Sequence, residues 1–179
     1  DSKTSAIILT GAADVFTVGL DLKDPETSQL PHLSLSERRQ LLRVGPDMCD
    51  SWGKLEPITI VAIEGWCIGG GLALSLSCDL RVSAESAVSF APEIERGMNM
   101  SWQAVPRSVA LIGPAKTKRL FIMAERLTAQ KGMEWGYYDS ISPDGNALTV
   151  ALDMAKKIAS MPPVQVRMVK QGINAAAFA

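Results

Sequence analysis

Two short apolar runs organise the chain. Ile58 to Ile63 is uninterrupted, rich in β-branched residues and bounded by Pro57 and Gly65, so it reads as a buried strand. Ala6 to Thr10 has the same character and ends at Gly11-Ala12, which predicts a second buried strand. Between them, Val15 to Leu22 reads as a turn, and residues 23 to 34, polar and holding Pro25 and Pro31, read as a loop. Leu41, Leu42, Val44, Met48 and Trp52 predict a helix that carries Pro46, although no capping-box acid stands three residues after Ser36. Short strands are expected at Leu80 to Val82 and Val88 to Phe90. Helical patterns then dominate, at about 103 to 112, 115 to 123, 128 to 136, 146 to 160 and 164 to 175, with breaks at Gly113-Pro114 and Pro162-Pro163. Early strands joined by helices and followed by a helical tail predict an α/β architecture.

The most informative segment is Gly65-Trp66-Cys67-Ile68-Gly69-Gly70-Gly71, set between the Ile58 run and Leu72 to Leu76, which suits the start of a helix. A helix N-terminus offers unpaired N–H groups and the positive end of a dipole, and glycines let an incoming oxygen approach that backbone. A phosphate-binding loop would need a lysine and a hydroxyl after Gly71, and a dinucleotide fingerprint would need G-x-G-x-x-G; neither is present. Gly65-Trp66-Cys67-Ile68-Gly69 has the form of a nucleophile elbow with cysteine in place of serine. In elbow hydrolases the histidine base follows the nucleophile, whereas the single histidine here, His32, precedes it. Cys67 is therefore read as a small buried residue, and the segment as part of an oxyanion hole for a carbonyl that becomes an enolate or a tetrahedral centre.

Composition narrows the class. A chain of 179 residues, 47% hydrophobic, fits one domain with one substantial core. With 18 basic and 19 acidic residues the net charge is −1, which leaves no footprint for nucleic acid or for an acidic membrane surface. Cys49, Cys67 and Cys78 are odd in number and irregularly spaced, which points to reduced thiols in the cytoplasm, or in an organelle matrix if a targeting segment has been removed. One histidine and no C-x-x-C disfavour a transition-metal site. No apolar run approaches the roughly 18 residues of a membrane span. The sequence lacks an initiator Met and enters a strand almost at once, so it is expected to be a domain cropped at both ends.

Taken in order, several landmarks resemble the crotonase (enoyl-CoA hydratase/isomerase) superfamily. They are Ile7-Ile8-Leu9-Thr10-Gly11, Phe16-x-x-Gly19-Leu20-Asp21-Leu22, Ile63-x-Gly65-x-x-x-Gly69-Gly70-Gly71, Cys78-Asp79-Leu80-Arg81 and Phe90-x-Pro92-Glu93. Gly132-Met133-Glu134-Trp135-Gly136 and Met161-Pro162-Pro163 extend the likeness over nearly the whole chain. The resemblance implies an α/β fold with a ββα spiral core at about residues 1 to 140 and a helical C-terminal region at about 141 to 179. It implies an acyl-CoA thioester substrate, with coenzyme A part of that substrate and no separate cofactor or metal. It also implies a homotrimer or hexamer.

The same resemblance implies a site. The backbone N–H groups of Leu20 and Gly70 would form the oxyanion hole, each such donor being typically worth roughly 3 kcal/mol of barrier. Val18, Gly19, Asp21 and Leu22 would lie along the coenzyme A path, with Gly69 and Trp66 as further walls. Of the two carboxylates of the family's two-glutamate hydratases, the first falls at Ala73 and is absent; the second falls at Glu93. Apolar neighbours at Phe90, Met98, Met100 and Trp102 would raise the pKa of Glu93 and suit it to acid/base work. The aspartate of diene-shifting and dehalogenating relatives falls at Ser101, which disfavours both reactions and leaves Ser101 to position a water. Double-bond isomerisation and hydration of an enoyl-CoA both remain open. Outside that class stand a non-catalytic acyl-CoA-binding protein and a thiol hydrolase built on Cys67. Arg107, Lys116, Lys118 and Arg119 read as a solvated helix face.

Overall fold

The computed structural model describes residues 4–12, 14–25 and 29–177. Three strand pairs, each followed by a helix, make up the first two thirds. β1 (Ala6–Thr10) and β2 (Val15–Thr17) precede α1 (Leu35–Gly53), and β3 (Ile58–Ile63) and β4 (Trp66–Ile68) precede α2 (Gly70–Leu76). β5 (Leu80–Ala84) and β6 (Val88–Phe90) lead through a 3-10 turn, Glu93–Arg96, to α3 (Ala104–Ile122). β7 (Leu127–Thr128), α4 (Ala129–Trp135), β8 (Ser140–Ser142), α5 (Ala147–Ala159) and α6 (Pro163–Ala177) follow. The first strand of each pair joins one sheet, ordered β1-β3-β5-β8, and the second joins another, ordered β2-β4-β6-β7. All pairings are parallel except β6 with β7. This alternation between two sheets is the ββα spiral.

Burial explains why the strongest sequence signals were the β3 and β1 runs. β3 is covered on both faces: Ile60 and Ala62 pack with Val82 against Ala147 and Ala151 of α5, while Val61 and Ile63 enter the main core with Cys67, Leu72 and Leu120. A strand covered on both faces needs a continuous apolar run rather than an alternating one. β2 and β4 were expected to be turn. They are three residues each, too short for a period, and exist because Thr17 pairs with Cys67 and Trp66 with Val88. The cap of α1 also differs from expectation. Ser34 is the N-cap, its backbone N–H donating to Glu37 Oε2 at 2.8 Å while the Glu37 N–H returns to Ser34 Oγ, so the capping box lies two residues before Ser36. The expected loop at 23 to 34 contains a 3-10 turn at Leu30–His32, and its residues 26 to 28 lie outside the described residues. The expected break at Gly113-Pro114 is a kink, Gly113 at φ 80°, inside one helical stretch.

Polar residues buried behind α2 tie its C-terminal end to the sheet. The Arg81 guanidinium donates to the carbonyls of Cys78 (2.6 Å), Asp79 (2.9 Å) and Tyr137 (2.8 Å). Arg107 departs from the expected solvated helix face: it is buried and donates to Cys49 O at 3.1 Å and to Ser77 Oγ. Lys116 and Arg119 are also engaged, with Trp135 O and with Glu125. No helix among the described residues is long and apolar enough to cross a membrane.

One ion pair anchors the last helix. Lys170 Nζ, on a residue 6% exposed, lies 2.6 Å from Asp79 Oδ2 and donates to Pro57 O at 2.8 Å. Asp79 also accepts from the Thr59 N–H at 2.7 Å, so the pair joins α6, β3 and the start of β5. Removing one member of a buried pair strands the other, at a cost of about 3–5 kcal/mol. Lys170→Ala should therefore destabilise the fold by roughly 3 kcal/mol in urea denaturation. A loss below about 1 kcal/mol would show that the pair is no more than a surface contact.

Candidate active site

Three neighbouring parallel strands end at the same edge of the second sheet, and each passes into one piece of the site. β2 runs into Val18-Gly19-Leu20-Asp21-Leu22, β4 into Gly69-Gly70-Gly71, and β6 into Ala91-Pro92-Glu93. Ligands of parallel sheets gather beyond the carboxyl ends of the strands, where loops diverge from a fixed frame. Here the three loops are stitched together. The Gly69 N–H donates to Phe90 O at 3.0 Å, and the Gly19 N–H donates to Thr17 Oγ1 at 3.1 Å.

The glycines are there because the loops touch backbone to backbone. A β-carbon on Gly19 would stand 2.9 Å from Ile68 O and 3.0 Å from Gly70 N, and one on Gly71 would stand 2.9 Å from Thr17 O. Gly19 and Gly69 also hold φ of 91° and 56°, which side chains strain to adopt. The Leu20 and Gly70 N–H groups donate to nothing among the described residues. Gly70 is the first residue of α2, where an N–H has no intrahelical acceptor. Two free donors therefore belong to loops in direct contact.

Glu93 lies against the same stretch. A β-carbon on Gly69 would come within 2.7 Å of Glu93 Oε1, and Glu93 Oε2 is buried without a hydrogen-bond partner among the described residues. Burial raises the pKa of this carboxyl, with smaller opposing effects from its own backbone N–H and from Arg96. A buried carboxyl oxygen without a partner costs free energy in its ionised form, and it is also a candidate proton acceptor. Ala73, where a second carboxylate would stand, is fully buried in the core.

The remaining expected residues fall into two groups. Val18, Leu20 and Leu22 are exposed along the outer loop and give the mouth an apolar rim. Asp21 accepts from the Lys23 N–H at 2.9 Å and so also shapes that loop. Trp66, 41% exposed, stands on the outer face of β4, its ring edge-on to Phe90 with centroids 6.2 Å apart. Ser101 is exposed in the turn before α3, where its carbonyl accepts from the Ala104 N–H. Cys67 is completely buried, its thiol pushed up to about 11 by desolvation, and no histidine adjoins it, which removes the elbow chemistry. Two contributors escaped the sequence pattern: Thr17, which orients Gly19, and Gly45, which makes room for the Trp102 ring. Gly45 had a signal, a glycine before proline inside a helix.

The sequence model of the enoyl-CoA hydratase/isomerase family matches residues 1–178. The chain belongs to the enoyl-CoA hydratase/isomerase family. A probable mitochondrial enoyl-CoA hydratase of Dictyostelium discoideum is 32% identical over 175 residues, covering 98% of this chain and 61% of that protein. A solved enoyl-CoA hydratase of Bacillus anthracis superposes with a TM-score of 0.85 at 30% identity, covering 94% of this chain and 64% of that one. One from Polaromonas sp. JS666, at 24% identity and a TM-score of 0.90, shares the fold and covers 98% of this chain and 67% of that one. The crotonase fold is thereby shown. The chain spans 61% and 65% of the length of two curated relatives it matches.

The direction of the Glu93 shift fixes a stability test. A carboxyl whose pKa rises on folding favours the fold below its unfolded value, near 4.5, and that contribution is lost as pH climbs through the folded value. Glu93→Gln should therefore melt higher than the wild type at pH 8, with the gap closing toward pH 4. A gap that widens toward acid would mean that the carboxylate is stabilised where it sits.

Proposed function

We propose that this domain acts on an enoyl-CoA thioester, with the thioester oxygen held by the Leu20 and Gly70 N–H groups and Glu93 as the single acid/base. The observation that carries the reading is Glu93, whose Oε1 lies against Gly69 and whose Oε2 is buried with no hydrogen-bond partner among the described residues, while position 73 is a buried alanine. One carboxylate suits a proton shuttle. Glu93 takes a proton from C2 of a 3-enoyl-CoA, and the C–H electron pair moves into the thioester to give the enolate. As the enolate collapses, C2=C3 forms, the C3=C4 pair takes the same proton at C4, and Glu93 is a carboxylate again. Charge develops on the oxygen only in the transition state and intermediate, where two fixed donors lower the barrier most. Coenzyme A is carried in with the substrate, so this reading calls for no separate cofactor.

Hydration of a 2-enoyl-CoA is the second reading. It is favoured by the relatives' names, among them a short-chain-enoyl-CoA hydratase of Clostridium acetobutylicum and a 2,3-dehydroadipyl-CoA hydratase of Escherichia coli. Glu93 would then activate a water without help from position 73, with Ser101 as the candidate to orient it. A homotrimer or hexamer belongs to the same proposal, and the exposed Val164, Met168, Val169 and Ile173 of α6 offer it an apolar face.

Incubation of 2-enoyl-CoA and 3-enoyl-CoA in deuterated water separates these readings. Isomerisation converts 3-enoyl-CoA to 2-enoyl-CoA with no 3-hydroxyacyl product, and deuterium enters at C4 only as far as the proton on Glu93 exchanges with solvent; hydration yields the 3-hydroxyacyl product carrying deuterium at C2. Glu93→Gln should lower kcat by about 10²–10⁴-fold. Leu20→Pro, which deletes one donor in an exposed loop, should lower it by about 10²–10³-fold. If neither substrate turns over in the wild type while acyl-CoA still binds, the domain is an acyl-CoA-binding protein.

A further inference from the structure

Trp102 and Gln103 stand in succession at φ 54° and 57°, at the entrance to α3. Non-glycine residues rarely enter this region, and neighbours in it persist only where the surroundings enforce it. What the conformation secures is the position of one indole ring. The six-membered ring lies on Gly70: a β-carbon there would stand 2.5 Å from Cζ3 and 2.6 Å from Cη2. The five-membered ring, at Cε2 and Nε1, fills the space left by the missing side chain of Gly45 in α1. Gly45 and Pro46 are the two poorest helix formers, and they sit mid-way along a 19-residue helix at the point where this ring enters.

The ring thus bridges α1 and the residue that presents the free N–H at the head of α2. Glu93 lies against Gly69, one residue earlier. The carboxyl and the indole thus flank two successive residues at the head of α2, so an acyl chain that entered between α1 and α2 would meet the ring.

We propose that Trp102 is the specificity-determining residue of this site, closing the acyl pocket so that it accepts short-chain enoyl-CoA and turns away long ones. The proposal rests on the enoyl-CoA reading above. Its test is kcat/KM for four-, eight- and twelve-carbon enoyl-CoA with the wild type, Trp102→Ala and Trp102→Phe, each checked for folding by circular dichroism. The wild type should favour the four-carbon thioester. Trp102→Ala should raise the twelve-to-four selectivity ratio by about tenfold or more, on the scale of a few methylenes gained or lost in an apolar pocket. Trp102→Phe should move the ratio the same way by less, and it carries the test alone if the alanine variant does not fold. Rates that fall in parallel at every length, or a wild type that prefers the long chain, would overturn the proposal and leave the enoyl-CoA reading intact. A wild type inactive on every length would overturn both.

Discussion

The backbone contact between the loop after β2 and the first turn of α2 is the constraint on which the site depends. Gly19 comes within side-chain distance of Ile68 O and Gly70 N, and Gly71 does the same toward Thr17 O. A methyl group at either place would push the loops apart. The approach is set by parallel pairing, since β2 and β4 are neighbours and their ends, Thr17 and Ile68, lead directly into the two loops. The price of this closeness is side-chain-free backbone at positive φ, and the surrounding structure supplies the rigidity those glycines lack.

That rigidity comes from behind. α2 is seven residues long and contributes little cohesion of its own. Ser75, the last residue but one of the helix, shares a 2.6 Å hydrogen bond with the buried Tyr137 hydroxyl, and Ser89 on β6 shares one of 2.7 Å with Tyr138. The two tyrosine rings meet edge to face with centroids 4.9 Å apart. Through this pair the helix that offers the Gly70 N–H and the strand that leads to Glu93 are fixed to one another. Arg81 completes the frame by occupying carbonyls at the exit of α2. An oxyanion hole works only if its donors need no reorganisation when charge appears. Buried hydrogen bonds at the far end of a short helix are a physical way to hold one end still.

How much of this was legible in the sequence follows from where each residue's role is decided. β3 and β1 announce themselves because burial on both faces leaves an unbroken apolar run, and Gly69-Gly70-Gly71 because nothing else tolerates the contact it makes. The Cys78-Asp79-Leu80-Arg81 landmark proved architectural: Asp79 holds Thr59 and Lys170, and Arg81 holds four carbonyls. β2 and β4 were hidden because three residues show no period and depend on partners about 50 residues away. Arg107 looked like one cation of a charged helix face, yet Gly53 and Ser77 create the space that buries it. The capping box was legible as Ser34 with Glu37, and was displaced only because the helix begins before its first apolar position. The proximity of Glu93 to Gly69 lay beyond any local pattern, since only the β4–β6 pairing creates it.

Packing accounts for the small residue at position 73. Ala73 is fully buried in the core cluster with Leu72 and Leu76, and its carbonyl already accepts from Ser77 Oγ at 2.9 Å. A glutamate at that place would need both space and a hydrogen-bond partner in a fully buried position. With alanine there, position 73 adds no charge, and the raised pKa of Glu93 comes first from desolvation. Among the described residues, the stretch beside Gly69 thus holds a carboxyl whose proton affinity burial increases, next to a helix whose first N–H, that of Gly70, has no intrahelical acceptor.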